Sequence, residues 1–300
     1  MKLALTAEEQ QAAERLVSLA LAEDLGIAGD ITSRALIADS RQGTVNVVVR
    51  RAGIVAGLPV GEIVLRQLDG AAIFQKHVPD GAKVDSGTIV ASARGAWRPL
   101  LAAERTVLNF LMHLGGIATR TRQFVDAVAG TKAVILDTRK TLPGWRMLEK
   151  YAVRAGGGTN HRIGLFDGCL IKDNHLTAWS EDHPRDSIAG AIAAARQATP
   201  VGIPIEIEVD TLEQLREALL GSADIVLLDN MDAATIGKAV RVRDSLAPHV
   251  LLEASGGVTL ENVGAIAAAG VDRISVGAIT HSAPTLDMAF DWSGVRREQS

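Results

Sequence analysis

Two adjacent cations follow an apolar run near the middle of the chain. The run AVIL occupies 133–136, and the stretch DTRKTLPG that begins at Asp137 then carries Arg139 and Lys140. The guanidinium group of arginine donates two parallel hydrogen bonds and therefore suits carboxylates and phosphates. Further basic or imidazole side chains follow before residue 176, and these are Arg146, Lys150, Arg154, His161, Arg162, Lys172 and His175. The pattern predicts a local site for a ligand with several negative charges.

The chain as a whole does not share this positive charge. It has 31 basic and 35 acidic residues, a net charge of −4, and only 3% aromatic residues. This composition disfavours binding to nucleic acids and to anionic membranes. Cys169 is the sole cysteine, so no intramolecular disulfide is possible, and acidic residues follow soon after the N-terminus. We expect a cytoplasmic protein without a signal peptide or a membrane-spanning segment.

Two carboxylates stand among the cations in the second half of the chain. Glu208 lies in the run IPIEIEV (203–209), and Asp229 ends the run ADIVLLD (223–229). They are either charge partners of the cations or ligands of sugar hydroxyls and of Mg²⁺. Facing a sugar, they would also stabilise positive charge at an anomeric carbon. Glu206 is expected to face away from Glu208, so that one of these two glutamates is structural.

Glycines follow the last two apolar runs. SGGV occupies 255–258, ahead of a helix expected to begin near Thr259, and SVGA occupies 275–278. Glycine lets backbone N–H groups approach a phosphate closely, and the helix N-terminus adds partial positive charge. The late strands of α/β barrels commonly hold a phosphate in this way. We therefore expect a phosphate-binding site here.

The spacing of the apolar runs indicates how these residues are positioned. Runs and helical segments alternate, which is typical of parallel strands joined by helices. Six or seven such units favour a barrel, in which the carboxyl ends of all strands share the face where active sites form. The expected strands are AVILD (133–137), GCLIK (168–172), IPIEIEV (203–209), ADIVLLD (223–229), HVLLEAS (249–255) and VDRISVG (271–277).

The first part of the chain has a different pattern. Thr6 and Glu9 have the spacing of a capping box and predict an N-terminal helix. Residues 44–57 and 73–92 are rich in valine, isoleucine and glycine and predict β-strands, and residues 101–130 predict two helical parts separated by a glycine break. A helix that starts at Thr141 and Pro143 is expected to expose Lys150 and Arg154 to solvent. The sequence thus predicts a smaller domain before the barrel.

Eight short motifs in one order resemble a known family. They are ERTVLNFL, GIATRT, LDTRKTLPG, GGGTNHR, IKDNH, LLDN, SGGV and SVGA. The chain resembles quinolinate phosphoribosyltransferases, also called carboxylating nicotinate-nucleotide pyrophosphorylases, over roughly residues 20–290. Gly115 stands where this family has serine, and Trp145 stands where leucine is usual. These two differences concern helix packing more than the reaction.

The resemblance implies a fold and a reaction. The implied fold is α/β: an N-terminal α/β sandwich over 1–116, completed by a C-terminal tail of about 284–300, and an incomplete seven-stranded α/β barrel over 117–283. The implied reaction joins quinolinate to 5-phosphoribosyl-1-pyrophosphate (PRPP) and gives nicotinate mononucleotide, pyrophosphate and CO₂. Mg²⁺ is the implied cofactor, with no organic cofactor, and the implied assembly is a homodimer with shared active sites.

The resemblance also implies roles for individual residues. Lys140, Glu208 and Asp229 would be catalytic, with Lys140 between both substrates and the two acids on the ribose hydroxyls and the metal. Residues implied for quinolinate are Arg105, from across the dimer interface, and Arg139, His161, Arg162 and Lys172. The remaining substrate-binding residues are Thr138 and, on the 5-phosphate, Ser255, Gly256, Gly257, Val276, Gly277 and Ala278.

Two other functions fit part of the pattern. A Schiff-base aldolase could use Lys140 or Lys172 as its nucleophile, because neighbouring cations depress a lysine pKa. A phosphate-sensing barrel could bind a mononucleotide and regulate a partner. Borohydride trapping tests the first alternative, and release of CO₂ from labelled quinolinate that depends on PRPP excludes the second.

Overall fold

The computed structural model describes residues 3–184 and 187–292. The chain divides into two compact units, of which the first comprises residues 1–122, 141–157 and 279–300, and the second comprises 123–140 and 158–278. The domain division expected from the sequence, at 116/117 with a tail from about 284, remains a prediction, and residues 293–300 of that tail lie outside the described residues. Among the described helices, none is both long enough and apolar enough to cross a membrane.

The first unit contains an antiparallel sheet packed with helices. Its four-stranded sheet has the order β12-β1-β5-β3, and β2 pairs with β4 in a separate ribbon. The predicted capping box is confirmed, since Thr6 N–H donates to Glu9 Oε2 at 2.9 Å and Glu9 N–H donates to Thr6 Oγ1 at 3.2 Å. The elements are α1 (Ala7–Leu25), α2 (Ile31–Leu36), β1 (Gln42–Val49), β2 (Gly53–Ile54), α3 (Leu58–Leu68), β3 (Ile73–Lys76), β4 (Lys83–Val84), β5 (Ile89–Ala96), α4 (Trp97–Ala127), α5 (Arg146–Ala155), α11 (Ala278–His281) and β12 (Met288–Trp292), with α4 and α11 each running across a unit boundary.

The predicted glycine break in the long helix was wrong. Helix α4 runs without interruption through Gly115 and Gly116. A Cβ atom on Gly116 would lie 2.2 Å from the carbonyl oxygen of Pro284, and one on Gly115 would lie 3.0 Å from Leu286 Cδ2. These glycines therefore allow the segment around Pro284 to approach the helix closely, and they do not end the helix.

The predicted solvent-exposed face of helix α5 was also wrong. The helix begins at Arg146 and not at Thr141, and Lys150 is only 2% exposed. Arg154 donates from Nη1 and Nη2 to the two carboxylate oxygens of Glu9, at 2.6 and 2.9 Å. Helix α5 is enclosed on most sides, so these two cations support the first unit and do not belong to a basic surface.

The second unit is an incomplete α/β barrel. Its six strands are parallel and have the order β6-β11-β10-β9-β8-β7, as expected for the predicted strands. The described residues form six strands in this sheet and not the seven that the resemblance implied, and Thr159 makes only a single bridge to Leu136. Within the described residues, no ladder joins Thr159 to β7, so the barrel stays open there. The elements are β6 (Val134–Leu136), β7 (Cys169–Ile171), α6 (Asp173–Asp182), α7 (Ile188–Ala198), β8 (Ile205–Val209), α8 (Leu212–Leu220), β9 (Ile225–Asp229), α9 (Ala233–Leu246), β10 (Leu251–Ser255), α10 (Val263–Ala268) and β11 (Arg273–Ser275).

A partly buried charge network holds the amino-terminal ends of β10 and β11. Asp272 precedes β11 and accepts hydrogen bonds from Arg243 Nη1 at 2.7 Å and from the N–H of Leu252 at 2.9 Å. Lys132 reaches its other carboxylate oxygen at 2.6 Å. Burial opposes the charge of Asp272, but these bonds outweigh it and lower the pKa of Asp272. This network lies at the opposite ends of the strands from Ser255 and Ser275, which is the stability face of such a barrel.

Candidate active site

A cavity of about 620 Å³ opens at the carboxyl ends of the barrel strands. Parallel strands bring their carboxyl ends to one face, so residues that are distant in sequence converge there. The sequence-predicted residues that line this cavity are Thr138, Arg139, Lys140, His161, Arg162, Lys172, Glu208, Asp229, Ser255, Gly256 and Gly257. Of the other lining residues, Ser275 belongs to the predicted stretch SVGA, and those that were not predicted are Leu170, Leu227, Asn230 and Glu253. The cavity is thus lined by both cations and acids.

Four predicted site residues do not line this cavity. Arg105 lies on α4 in the first unit, where it lines a separate pocket with Phe110 and Trp145. Gly277 and Ala278 directly follow Ser275 and Val276 at the end of β11. The N–H of Val276 donates to the carbonyl oxygen of Leu136 at 2.9 Å. The main-chain amide of Val276 therefore serves the sheet.

The cation Lys172 and the acid Glu208 contact each other directly. Lys172 Nζ forms a salt bridge with Glu208 Oε2, and the Glu208 side chain is 11% exposed. Nearby, burial and then the charge of Glu208 raise the pKa of Asp229. Two carboxylates at adjacent strand ends thus repel each other, which a divalent cation bound between them would relieve. Glu208 and Asp229 are the residues of this cavity that fit Mg²⁺.

A short loop after Thr159 carries Arg162 into the cavity. The buried Asp137 accepts the N–H of His161 at 2.8 Å and the amide of Asn160 at 2.7 Å, which fixes the start of the loop. Asp167 accepts the main-chain N–H groups of residues 163 and 164, both at 2.8 Å. Arg162 Nη1 donates to the carbonyl oxygen of Gly168 at 3.0 Å. The loop is therefore held at its beginning, middle and end.

Two buried glutamates face the ring of His161. His161 Nε2 lies 3.1 Å from Glu206 Oε2 and 3.3 Å from Glu253 Oε1, and both carboxylates are at least 95% buried. Glu253 also accepts from Arg273 Nε at 2.7 Å. The prediction that Glu206 faces away from Glu208 was wrong, because side chains two residues apart on a strand share one face. Glu206 and Glu208 both point into the barrel.

The three groups influence one another's protonation. Burial disfavours a charged ring, but the two carboxylates outweigh it and raise the pKa of His161 to about 9. Burial and the charge of Glu253 raise the pKa of Glu206. Burial opposes ionised Glu253, yet the hydrogen bond with His161 and the charge of Arg273 lower its pKa. Glu253 is thus the better stabilised anion of the pair.

These three side chains bring ligand atoms within 4.8 Å of one another, which is close enough for a metal ion. The other ring nitrogen of His161, Nδ1, accepts the N–H of Arg162 at 2.8 Å. An imidazolium has no acceptor, so the bond to Nδ1 forms only with the neutral ring, whose proton is then on Nε2. The charged ring also has a proton on Nε2. His161 is therefore a hydrogen-bond donor to the carboxylates and not a metal ligand.

The glycines after β10 have the conformation that a close backbone approach requires. Gly256 has φ +87° and Gly257 has φ +57°. A Cβ on Gly256 would lie 2.1 Å from Asn230 Oδ1, so no larger residue fits there. The helix expected near Thr259 begins later, at Val263, because Thr259 and Gly257 first form a turn closed by the side chain of Asn262. The backbone conformation at the expected phosphate-binding site thus depends on the two glycines more than on a helix end.

Sequence reasoning missed Asn230, Glu253 and Arg273. Asn230 has φ +53°, a region that asparagine tolerates better than most residues, and its amide donates to Asp229 at 2.6 Å. Its position after a strand-ending aspartate, in LLDN, was a usable signal. Glu253 and Arg273 each interrupt an apolar strand, HVLLEAS and VDRISVG, and charged residues inside buried strands indicate an interior ion pair.

Models of one protein family match almost the whole chain. The model described as quinolinate phosphoribosyl transferase, N-terminal domain, matches residues 30–115, and the model of the C-terminal domain of the same enzyme matches residues 117–291. The second match contains every predicted residue that lines the cavity.

Curated and solved relatives agree with these models. The chain is 47% identical over 286 residues to the carboxylating nicotinate-nucleotide pyrophosphorylase of Mycobacterium leprae, covering 94% of this chain and 98% of that protein. It is 40% identical to the probable enzyme of the same name from Bacillus subtilis, covering 93% and 92%. The solved nicotinate-nucleotide pyrophosphorylase of Francisella tularensis superposes with a TM-score of 0.88 at 38% identity, covering 95% and 97%. The chain therefore belongs to the quinolinate phosphoribosyltransferase family.

Proposed function

We propose that this protein transfers the phosphoribosyl group of PRPP to quinolinate and releases pyrophosphate and CO₂, forming nicotinate mononucleotide. The observation that carries this proposal is one cavity that is lined by both kinds of group. Arg139, Arg162 and Lys172 supply donors for an acceptor with two carboxylates, and Glu208 and Asp229 supply carboxylates for a sugar. Such a reaction belongs to NAD biosynthesis.

The carboxylates have a direct role in the proposed chemistry. Loss of pyrophosphate leaves positive charge at the anomeric carbon, and Glu208 and Asp229 would stabilise that charge electrostatically. The pyridine nitrogen then bonds to the anomeric carbon and becomes cationic. The cationic nitrogen stabilises the carbanion that remains at C2 when the adjacent carboxylate leaves as CO₂, and a proton from solvent then forms the C2–H bond, so the reaction needs no organic cofactor. Lys140 is assigned to the space between both substrates.

A divalent cation would assist the leaving group. Glu208 and Asp229 offer the hard oxygen ligands that Mg²⁺ prefers, and their mutual repulsion favours a cation between them. Mg²⁺ would supply charge neutralisation of the pyrophosphate. The salt bridge of Glu208 with Lys172 must open for both residues to take these roles.

We further propose a homodimer in which Arg105 serves the active site of the neighbouring subunit. Arg105 lies in the first unit, in a pocket with Phe110 and Trp145, whereas the other proposed quinolinate residues lie in the second unit. A contribution from a second copy would explain why Arg105 does not line the cavity of its own chain. Gly277 and Ala278 are proposed, with Ser255 to Gly257, for the 5-phosphate. The cytoplasmic location stays a prediction of the sequence.

The Schiff-base alternative gains no support from the lysines of the cavity. A nucleophilic lysine must present a neutral amine to a carbonyl carbon, and Lys172 Nζ is instead paired with Glu208. The regulatory alternative predicts that the protein binds its ligands without turnover, and a CO₂-release assay distinguishes it from the proposed enzyme.

One assay tests the proposed function. Purified protein is incubated with Mg²⁺, PRPP and quinolinate that is labelled in the carboxylate on C2, the ring carbon next to the nitrogen. The labelled CO₂ that is released is then measured. We expect release that requires PRPP and is stoichiometric with nicotinate mononucleotide. Nicotinate, which has one carboxylate, is the control acceptor and should react poorly. Binding of both substrates without CO₂ release would contradict the proposed reaction.

A further inference from the structure

We propose that Asn230 is a positioning residue for the sugar donor: its side-chain amide holds the carboxylate of Asp229 in a fixed direction beside the glycines that follow β10. This inference rests on the proposed function, because it concerns how PRPP is bound. It gives a role to a cavity-lining residue that the proposed chemistry does not use.

Asn230 has a backbone conformation that most residues avoid. It directly follows β9 and has φ +53°, and the one other non-glycine residue with positive φ in the described ranges is Ser222, at φ +61°. The N–H of Asn230 donates to the carbonyl oxygen of Ser255 at 2.9 Å, which holds its main chain against the end of β10. Glycine would adopt this conformation with less strain. A turn alone would thus be served better by glycine, and the side chain is the feature that needs an explanation.

The side chain of Asn230 lies between two groups that are proposed for the donor. Its Nδ2 donates to Asp229 Oδ2 at 2.6 Å. Its Oδ1 occupies the space that a side chain on Gly256 would need, since a Cβ there would lie 2.1 Å from this oxygen. Asp229 and Ser255 are also register partners on β9 and β10. One side chain therefore lies against both the acid proposed for the ribose and the glycine proposed for the 5-phosphate.

Charge determines which end of the amide faces Asp229. An ionised carboxylate has only acceptor oxygens, so the NH₂ group of the amide must face it. The reverse orientation would place two acceptors 2.6 Å apart. The contact is therefore a hydrogen bond to a charged group, which is stronger than one between neutral groups. It fixes Oδ2 of Asp229 and thereby the direction in which Oδ1 points.

Asp229 needs such a support because its surroundings oppose its charge. Burial and the charge of Glu208 raise the pKa of Asp229, whereas the hydrogen bond from Asn230 acts in the opposite direction. Repulsion alone would turn the carboxylate of Asp229 away from Glu208, and therefore away from the place where both acids meet the sugar.

The donor itself requires a fixed spacing between its binding groups. The ribose hydroxyls and the 5-phosphate belong to one molecule, so Asp229 and the glycines after β10 must keep their separation to bind both ends. Groups that are held in place before the ligand arrives bind it more tightly, because less conformational freedom is lost on binding. Asn230 contacts the supports of both ends and is placed to set that separation.

Two matched substitutions test this role. Asn230→Gly removes the amide and keeps the left-handed backbone, and Ser222→Gly makes the same backbone exchange before the other end of β9. We expect Asn230→Gly to bind PRPP about fivefold more weakly, the effect of one lost oriented hydrogen bond, and to bind quinolinate within about twofold of the wild type. Ser222→Gly should bind both substrates like the wild type. Calorimetry in the presence of Mg²⁺ measures the affinities, and thermal unfolding confirms that both variants are folded.

A double-mutant cycle tests whether the effect passes through Asp229. In the Asp229→Ala background, Asn230→Gly should weaken PRPP binding by less than about twofold, because the carboxylate that it positions is gone. A further loss of about fivefold in that background would mean that Asn230 contacts the donor directly, and it would overturn the inference. Unchanged PRPP affinity of Asn230→Gly, or an equal loss for both substrates, would also overturn it.

The outcome is distinguishable from failure of the proposed function. If the wild type does not bind PRPP, the donor assignment itself fails, and the side-chain amide protons of Asn230 then test the contact without substrate. Their resonances are assigned by their loss in Asn230→Gly. One proton should lie downfield because it is bonded to a carboxylate, and it should lose that shift in Asp229→Ala. An unchanged resonance in Asp229→Ala would overturn the positioning role.

Discussion

At the scale of single residues, Arg162 shows how the cavity combines charge with fixed direction. Burial, followed by the nearby charge of Arg139, lowers the pKa of Arg162, yet guanidinium stays protonated in proteins. Two cations held close together without a bound anion repel each other. A ligand with two carboxylates relieves that repulsion, which favours such an acceptor over one with a single carboxylate.

Replacing Arg162 by alanine should weaken quinolinate binding. The change removes a bidentate donor from a partly desolvated site, and we expect a loss of about 2 to 4 kcal/mol. Calorimetric titration with quinolinate measures it. Arg216→Ala, at an exposed position on α8, is the matched control and should bind like the wild type. Unchanged affinity in the Arg162 variant would disprove its assignment to the acceptor.

The site residues at strand ends were predictable, and the interior residues were not. Lys172, Glu208 and Asp229 follow apolar runs, so their types and positions alone indicated a common face. The direction of the Glu206 side chain was predicted wrongly, because residues two apart on a strand share a face and only adjacent residues point to opposite faces. Glu253 could be assigned a partner only in three dimensions, because Arg273 and His161 come from other segments.

At the scale of elements, close backbone approach explains the glycines of α4. Glycine inside a helix costs about 1 kcal/mol relative to alanine, so its presence needs a compensating contact. Gly116 has that contact, since the carbonyl oxygen of Pro284 lies where a Cβ would be. From sequence alone, a pair of glycines in a helix indicates either a break or a crossing of two chain segments, and only the packing partner decides.

Gly116→Ala should destabilise the protein, and Gly237→Ala should not. The first change forces a Cβ to 2.2 Å from a main-chain oxygen, and overpacking of this kind costs about 1 to 3 kcal/mol. In α9, a Cβ on Gly237 would have only Arg241 Nη1 near it, at 3.9 Å, so alanine should stabilise the helix by up to about 1 kcal/mol. Denaturant unfolding of both variants measures the difference. Equal stability of the two would contradict the packing argument.

Asp272 should make stability depend on pH through its lowered pKa. A carboxyl group whose pKa is lower in the folded state stabilises the folded protein at pH values above its unfolded-state pKa, which is about 3.9 for aspartate. That stabilisation is lost as the pH falls through the lower folded-state pKa. Asp272→Asn should therefore lower the free energy of unfolding by about 1 to 3 kcal/mol at pH 7. The difference from the wild type should shrink below about pH 4. The exposed Asp182→Asn variant is the control, and a pH-independent difference for Asp272→Asn would refute this explanation.

The elements of the barrel were largely predictable from the sequence. Every predicted run contains a strand, because buried parallel strands are mostly apolar and are bounded by polar or glycine residues. The beginnings of helices were less predictable. Helix α5 begins at Arg146 and α10 at Val263, each several residues after a plausible start, because turns with their own hydrogen bonds come first.

At the scale of the whole molecule, the proposed homodimer makes each active site depend on two chains. The proposal assigns Arg105 to the neighbouring site and Lys140 to its own. The assignment of Arg105 does not follow from the packing of one chain, and sequence patterns carry no direct information about a partner surface. The assembly therefore needs an experiment on mixed subunits.

Mixing inactive Arg105→Ala and Lys140→Ala variants should restore activity. After random subunit exchange half of the dimers are mixed, and each has one intact site, so about a quarter of wild-type activity is expected. CO₂ release from labelled quinolinate measures recovery. Each variant exchanged with itself is the control. No recovery in the mixture, with exchange verified by mass spectrometry of tagged subunits, would exclude a shared site.

The opening of the barrel between Thr159 and β7, called the seam here, affects how this fold can change in evolution. Residues between Thr159 and β7 join the two ends of the sheet, and they carry His161 and Arg162 without being held in a ladder. The acids and glycines proposed for the donor sugar lie instead at the ends of laddered strands. Insertions or exchanges at the seam therefore disturb few inter-strand bonds. A change of acceptor ring can therefore begin in this short connection, while the residues proposed for the donor keep their places at the strand ends.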